Sequence, residues 1–179
     1  MQIPIEWYTH ILPGVIVVIS ILLVLRPINS VDQLASNIPQ TVSASVLWVL
    51  ASYIVGMVIN SAILVFASST IEAGDWALLF HLNQADLIKA LQESYQGMIL
   101  RRSLSAAFII TFIIALVGIF RHRNQRTLFG LISILSLIAS IAFCFDYYKY
   151  KDNHNTFYDA SLILLREEQH IGLPADTLK

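Results

Sequence analysis

Residues that could carry out chemistry are few in this sequence and lie far apart. The histidines are His10, His81, His122, His154 and His170. A metal site on a helix needs ligands three or four residues apart, and no two of these histidines have that spacing. The carboxylates fall in polar segments, where solvated charge is their ordinary state, and no common catalytic or phosphate-binding motif occurs. The sequence therefore predicts a protein that is not an enzyme, with no catalytic residue, no metal and no cofactor.

Small and polar residues recur at helical spacing inside the apolar parts of the chain. They are Ser52, Gly56 and Asn60, then Ala107, Thr111 and Ala115, and finally Ser133, Ser136 and Ser140. Such stripes let helix backbones approach closely, and an amide such as that of Asn60 often forms an interhelical hydrogen bond. The stripes either pack the helices of one chain together, or one stripe is left for self-association around a pore. The sequence leaves both alternatives open.

A second group of side chains could contact an anionic ligand or a lipid headgroup. The group consists of Tyr95, Arg101, Arg102, Lys149 and Lys151. Basic side chains at a membrane boundary attract phosphate, and a tyrosine ring can stack on a base. The same basic residues can also serve only to set the orientation of the chain in the membrane.

Four long stretches without Asp, Glu, Lys or Arg must position these residues. The chain of 179 residues is 56% hydrophobic and only 13% charged, against about 25% charged in soluble proteins. A helix crosses the roughly 30 Å hydrocarbon core with about 20 apolar residues. We therefore predict one all-α, polytopic transmembrane domain, residues 1–179. Its four transmembrane helices span about 7–25, 42–67, 103–120 and 127–145.

Two helical segments are predicted outside the membrane, at 68–102 and 146–179. In the first, apolar residues recur on one helical face from Leu87 to Ile99, which predicts an amphipathic helix that leads into the third span. The second is a C-terminal helical tail that ends near Gly172 and Pro174. The sequence leaves open whether this tail continues the fourth helix or bends away from it.

Lysine and arginine counts predict the orientation. Four crossings place both termini and the 68–102 segment on one side, with seven basic residues, and the two short connections on the other, with four. This bias favours an orientation with the N-terminus and the C-terminus in the cytoplasm. The net charge of −1 and the absence of a basic run predict no binding to nucleic acid.

Three residues within the predicted spans are expected to have structural rather than functional roles. Cys144, the only cysteine, is expected to be a small buried apolar side chain. Pro13 and Gly14 could form a hinge in the first helix, but a proline in the first helical turns is common and costs little.

Two short motifs give the chain a family resemblance. They are Tyr95-Gln-Gly97-Met-Ile-Leu-Arg101 at the start of the third span, and Phe145-Asp-Tyr-Tyr-Lys-Tyr-Lys151 with Phe157-Tyr158 after the fourth. In them the chain resembles small bacterial four-span membrane proteins of mostly unknown function. Some of those resemble transmembrane effectors of nucleotide-signalling antiphage systems, in which a messenger or partner triggers membrane damage. The resemblance implies a cytoplasmic sensor protein or a nucleotide messenger as a partner.

Two functions are expected from these features. The first is a non-enzymatic, self-associating inner-membrane protein, a homo-oligomer in the lipid bilayer that acts on membrane integrity in antiviral defence. The alternative is a structural or regulatory subunit, a scaffold of a larger membrane protein complex.

Overall fold

Helices make up nearly all of the described structure. The computed structural model of the chain describes residues 5–25, 41–66 and 85–171. Within these ranges the α-helices are α1 (Ile5–Leu25), α2 (Val42–Phe66), α3 (Ala85–Arg121) and α4 (Arg126–Ile171), and a short 3-10 turn (Arg123–Gln125) separates α3 from α4. The described ranges contain no strand. Each α-helix includes a stretch long and apolar enough to cross a membrane. The prediction of an all-α chain with four such helices is therefore confirmed, whereas the predicted segments at 26–40, 67–84 and 172–179 lie outside the described residues.

Local hydrogen bonds define two of the helix ends. At the start of α2, the Thr41 hydroxyl accepts a hydrogen bond from the Ala44 backbone N–H at 3.3 Å, as an N-cap residue does. Between α3 and α4, the His122 N–H donates to the Gly118 carbonyl at 2.9 Å. The His122 imidazole Nε2 also lies 2.8 Å from the carbonyl oxygen of Val24, one of the last carbonyls of α1, which have no partner within that helix. This contact ties the end of α1 to the short turn between α3 and α4.

The helices pack around α1 and α3. α2 packs on α1 and touches α3 more lightly, while α4 packs chiefly on α3. The apolar centre is formed by Val17 of α1, Ile59 of α2 and Ala107 of α3. Because α2 and α4 share little or no direct contact, the four helices form an open arrangement rather than a closed ring of four neighbours.

The closest approach of two backbones joins α1 to α2. A methyl group added at Gly14 would overlap the backbone carbonyl of Ser52, and one added at Gly56 would overlap that of His10. Glycine is therefore required at both positions, because any side chain would push the helices apart. Gly14 thus has a packing role, in addition to its place beside Pro13 near the start of α1.

Charged residues mark two membrane boundaries along α3. The uncharged stretch 103–120 corresponds to about 27 Å of helix, close to the roughly 30 Å of a hydrocarbon core. We call the boundary near Arg102 the tail side and the boundary near Arg121 the turn side. α4 has 46 residues, or about 69 Å of helix, which is more than twice that thickness. The part of α4 from Asp146 onward carries charged residues, so we place it beyond the tail-side boundary.

Cys144 lies on the outside of α4, so the expectation that its thiol is buried is wrong. The side chains through which α4 packs on α3 include those of Ser140 and Phe143, the latter stacked on Phe108. Cys144 follows Phe143 by one residue, which turns it about 100° away around the helix, beyond this contact line.

Candidate functional site

A polar cavity lies between α1, α2 and α3 at the tail-side boundary. Its volume is about 320 Å³, room for about ten water molecules. The lining residues are Thr9, His10, Tyr53, Asn60, Gln92, Tyr95, Gln96 and Ile99. All except Ile99 carry a polar group, and none carries a carboxylate or a fixed positive charge. Hydroxyl, amide and imidazole groups that converge in this way can bind a small polar molecule through hydrogen bonds.

The imidazole of His10 is the side chain in this cavity with the clearest unmet hydrogen-bonding capacity. Its ring packs edge-on against Tyr53, with 5.5 Å between ring centroids. Its Nδ1 atom is buried and has no hydrogen-bond partner among the described residues. A buried polar atom without a partner is costly, so a bound water or ligand atom at this position would be stabilising.

At its deep end the cavity meets a hydrogen-bond cluster around Asn60. The Asn60 carbonyl oxygen accepts hydrogen bonds from the Ser103 hydroxyl and from an Arg102 guanidinium nitrogen, each at 3.2 Å. Ser103 is fully buried and Asn60 nearly so. The amide therefore has the interhelical role that the sequence suggested, and one face of it also borders the cavity.

The five residues predicted to contact an anion do not converge on this cavity. Tyr95 lines it, whereas Arg101, Arg102, Lys149 and Lys151 do not. The Arg101 guanidinium forms an ion pair with Asp146 and lies over the ring of Tyr150, 3.4 Å from the ring centroid. It also donates to the Gly97 carbonyl at 3.0 Å. Its positive charge is thus already engaged within the α3–α4 pair.

The residues predicted to pack helices or line a pore are all buried within the single chain. They are Ser52, Gly56, Asn60, Thr111, Ser133, Ser136 and Ser140. The Thr111 hydroxyl accepts a hydrogen bond from Ser20 at 3.1 Å. The hydroxyls of Ser105 and Ser140 each donate to the other residue's backbone carbonyl at 3.0 Å. These stripes therefore serve contacts between helices of one chain.

His154 occupies a buried position in the part of α4 beyond the tail-side boundary. Its Nδ1 lies 3.1 Å from the Ser94 hydroxyl, and its ring lies 6.0 Å from that of Tyr95. The Nε2 atom has no hydrogen-bond partner among the described residues, and the side chain is only 1% exposed. Because burial disfavours the charged form, the pKa of His154 lies below its usual value of 6.5.

Sequence reasoning missed several of these residues. Thr9, His10, Gln92 and Gln96 are polar residues next to predicted membrane boundaries, and that position on different helices is the signal that could have grouped them. No comparable signal in the sequence pairs His154 with Ser94, because the two residues are 60 positions apart.

The described residues form an all-helical protein with four helices long and apolar enough to cross a membrane. No family model matches the chain, and neither a curated protein nor a solved structure matches it.

Proposed function

We propose that this chain is a non-enzymatic membrane protein that self-associates and acts on membrane integrity. The observation that supports this proposal best is the polar character of the contacts between the helices at membrane depth. Self-association would exchange contacts within one chain for equivalent contacts between copies. A hydroxyl-lined path across the bilayer could then form.

Three polar contacts join the helices at successive depths. Asn60 and Ser103 join α2 to α3, Ser105 and Ser140 join α3 to α4, and Ser20 and Thr111 join α1 to α3. Hydrogen bonds of this kind contribute only about 0.6 to 1 kcal/mol each in a membrane. Because the cost of exchanging them is small, the helix contacts are suited to rearrangement.

A single copy is closed to water at the depth of Thr111. The cavity beside Ser20, Thr111 and Phe129 has a volume of about 10 Å³, which barely holds one water molecule. Permeation therefore requires that the helices separate or that several copies assemble. The outer face of α2 offers room for such assembly, since Val46, Leu47 and other large apolar residues along it are exposed.

The tail-side cavity is the proposed regulatory site of this activity. It lies where three helices meet the boundary, so a small polar ligand in it would alter how α1, α2 and α3 pack. The resemblance in sequence suggests antiviral defence as the setting, with a nucleotide messenger or a cytoplasmic sensor protein as the trigger. The resemblance also suggests the bacterial inner membrane as the location, and the lysine and arginine counts favour an orientation with both termini in the cytoplasm.

Leakage from reconstituted vesicles tests the proposal. We expect the purified chain to release a trapped dye, with a rate that rises more steeply than linearly with the number of chains per vesicle. Thr111→Val removes a buried hydroxyl from a helix contact and should lower the rate about three- to fivefold, the equivalent of one such hydrogen bond. The control is Ile113→Val, because Ile113 is 54% exposed on the same helix and forms no polar contact.

Vesicles that stay sealed at every protein density would contradict the proposed activity. A rate strictly proportional to protein density would contradict self-association, because a single copy would then be sufficient.

A second function, that of a scaffold subunit in a larger membrane complex, is favoured by a different observation. An apolar groove of about 670 Å³ runs along α2, with Ile11 as the one described lining residue from α1. Its lining includes Ile11, Val42, Val46, Val49, Leu50 and Tyr53. A transmembrane helix of another protein could pack there, and a scaffold would then copurify with an unrelated chain in mild detergent and leave vesicles sealed.

A further inference from the structure

Two consecutive arginines at the tail-side boundary have different surroundings. Arg101 pairs with Asp146, as described above. Arg102 donates one hydrogen bond to the neutral Asn60 amide, and no carboxylate lies within ion-pair distance of it in the described part of the chain. Its Nε atom is buried and has no hydrogen-bond partner there. A guanidinium has five N–H donors, so most of the capacity of Arg102 is unused.

Arg102 lies at one end of a groove between α2 and α4. The groove has a volume of about 200 Å³. Its lining consists of Ile63 from α2, Arg102, Ser105, Ala106 and Ile109 from α3, and Cys144, Tyr147 and Tyr148 from α4. Ile109 lies seven residues beyond Arg102, or about 10 Å deeper in the membrane. The groove is therefore charged at the boundary and mostly apolar below it.

We propose that this groove binds one anionic phospholipid, with the headgroup phosphate on Arg102 and part of an acyl chain along Ala106 and Ile109. A guanidinium binds phosphate through paired, charge-assisted hydrogen bonds. Tyr147 and Tyr148 lie at the depth where tyrosine commonly contacts headgroups.

Charge complementarity favours an anionic headgroup over a zwitterionic one. The lining of the groove includes one cation and no carboxylate, so the ammonium group of a phosphocholine headgroup would have no partner there. A lipid in the groove would also occupy the space between α2 and α4, which share little or no direct contact. The bound lipid would thus link the two outer helices of the chain.

Native mass spectrometry of the delipidated protein in detergent tests this inference. The probes are palmitoyl-oleoyl phosphatidylglycerol and the phosphatidylcholine with the same acyl chains. We expect one tightly bound phosphatidylglycerol per chain and about tenfold weaker binding to the Arg102→Gln variant, because a charge-assisted hydrogen bond is lost. The matched control is Lys149→Gln, which removes an equal charge from an exposed residue of α4 near the same boundary and should bind as the wild type does.

Two further measurements distinguish binding of the whole lipid from binding of its phosphate group alone. Cys144→Phe places a large ring in the groove from an exposed position, and we expect it to weaken lipid binding although the charge of Arg102 is intact. Free glycerol 1-phosphate carries a phosphate group without acyl chains, and it should fail to displace the lipid at millimolar concentration.

Equal loss of binding in Arg102→Gln and Lys149→Gln would overturn the inference, because it would indicate only general attraction to charge. Equal affinity for the two lipids would overturn the preference for an anionic headgroup. Displacement by glycerol 1-phosphate, or wild-type binding by Cys144→Phe, would overturn the role of the groove. The helical content of each variant, measured by circular dichroism, ensures that only folded chains are compared.

Discussion

Replacement of Gly56 by alanine should separate α1 from α2. The added methyl carbon would lie 2.6 Å from the His10 carbonyl carbon and 3.0 Å from its Cα, whereas ordinary contacts of this kind are 3.4–4 Å. The two helices must therefore move apart by at least about 0.8 Å, because both clashing groups belong to the backbone and no side-chain rotation relieves them. We expect a loss of about 3 kcal/mol in the free energy of unfolding, the upper end of the range for overpacking.

Two other glycine variants complete the experiment: Gly14→Ala is the matched variant and Gly130→Ala is the control. Gly14→Ala would place its methyl carbon 2.6 Å from the Ser52 carbonyl carbon and 3.0 Å from the Gly56 nitrogen, so it should cost a similar amount. The double variant should cost less than the sum of the two, since the first separation relieves the second clash. Gly130→Ala meets nothing within 4 Å and should leave stability unchanged or raise it by up to about 1 kcal/mol.

Unfolding in mixed micelles of a mild detergent and sodium dodecyl sulfate measures these differences. Wild-type stability in Gly56→Ala would refute the close contact between α1 and α2. An equal loss in Gly130→Ala would show that alanine at any of the helical glycines is harmful, and would refute the structural explanation.

Three further predictions concern polar contacts. A double-mutant cycle on Arg101→Gln and Asp146→Asn should give a coupling of about 1 kcal/mol in detergent, because the pair is only partly exposed; no coupling would mean that the ion pair is absent. Below about pH 6.5 the unfolded chain protonates His154 while the folded chain, with its lowered pKa, resists, so the hydrogen-exchange protection factors in this part of α4, which are corrected for the slower intrinsic exchange at low pH, should decrease as the pH falls towards 5. His154→Phe should remove that dependence, and its persistence would assign the effect to another group. Ser105→Ala and Ser140→Ala should each cost about 0.6 to 1 kcal/mol in micelle unfolding, and the double variant should cost about the sum, because each hydroxyl donates to a backbone carbonyl that the other substitution leaves in place; wild-type stability in both single variants would contradict the two hydrogen bonds.

The number of helices able to span a membrane was predictable because it depends only on where charged residues occur along the sequence. A long stretch without charge is long enough to cross the hydrocarbon core, whichever helices pack against it. The spacing of Ser52, Gly56 and Asn60 also placed them on one helical face, and that face is buried in the single chain.

The surroundings of individual polar residues were not predictable, because they depend on which helix is the neighbour. Arg101 and Arg102 are adjacent in sequence but point about 100° apart on α3, one towards α4 and the other towards α2. Cys144 shows the same limit, since one step along α4 moves a side chain from the contact line to the outside. The packing role of Gly14 was not predictable either, because it depends on Ser52 lying opposite it on α2.

Labelling of single cysteines from each side of the membrane tests most directly whether α3 and α4 cross the bilayer. In a Cys144→Ala background, cysteines are introduced at the exposed positions Lys89, Asn124 and Asn153 and treated with a membrane-impermeant maleimide. We expect Lys89→Cys and Asn153→Cys to react from the same side, and Asn124→Cys to react only from the opposite side. Reaction of Lys89→Cys and Asn124→Cys from the same side would mean that α3 does not cross the bilayer, and would contradict the account.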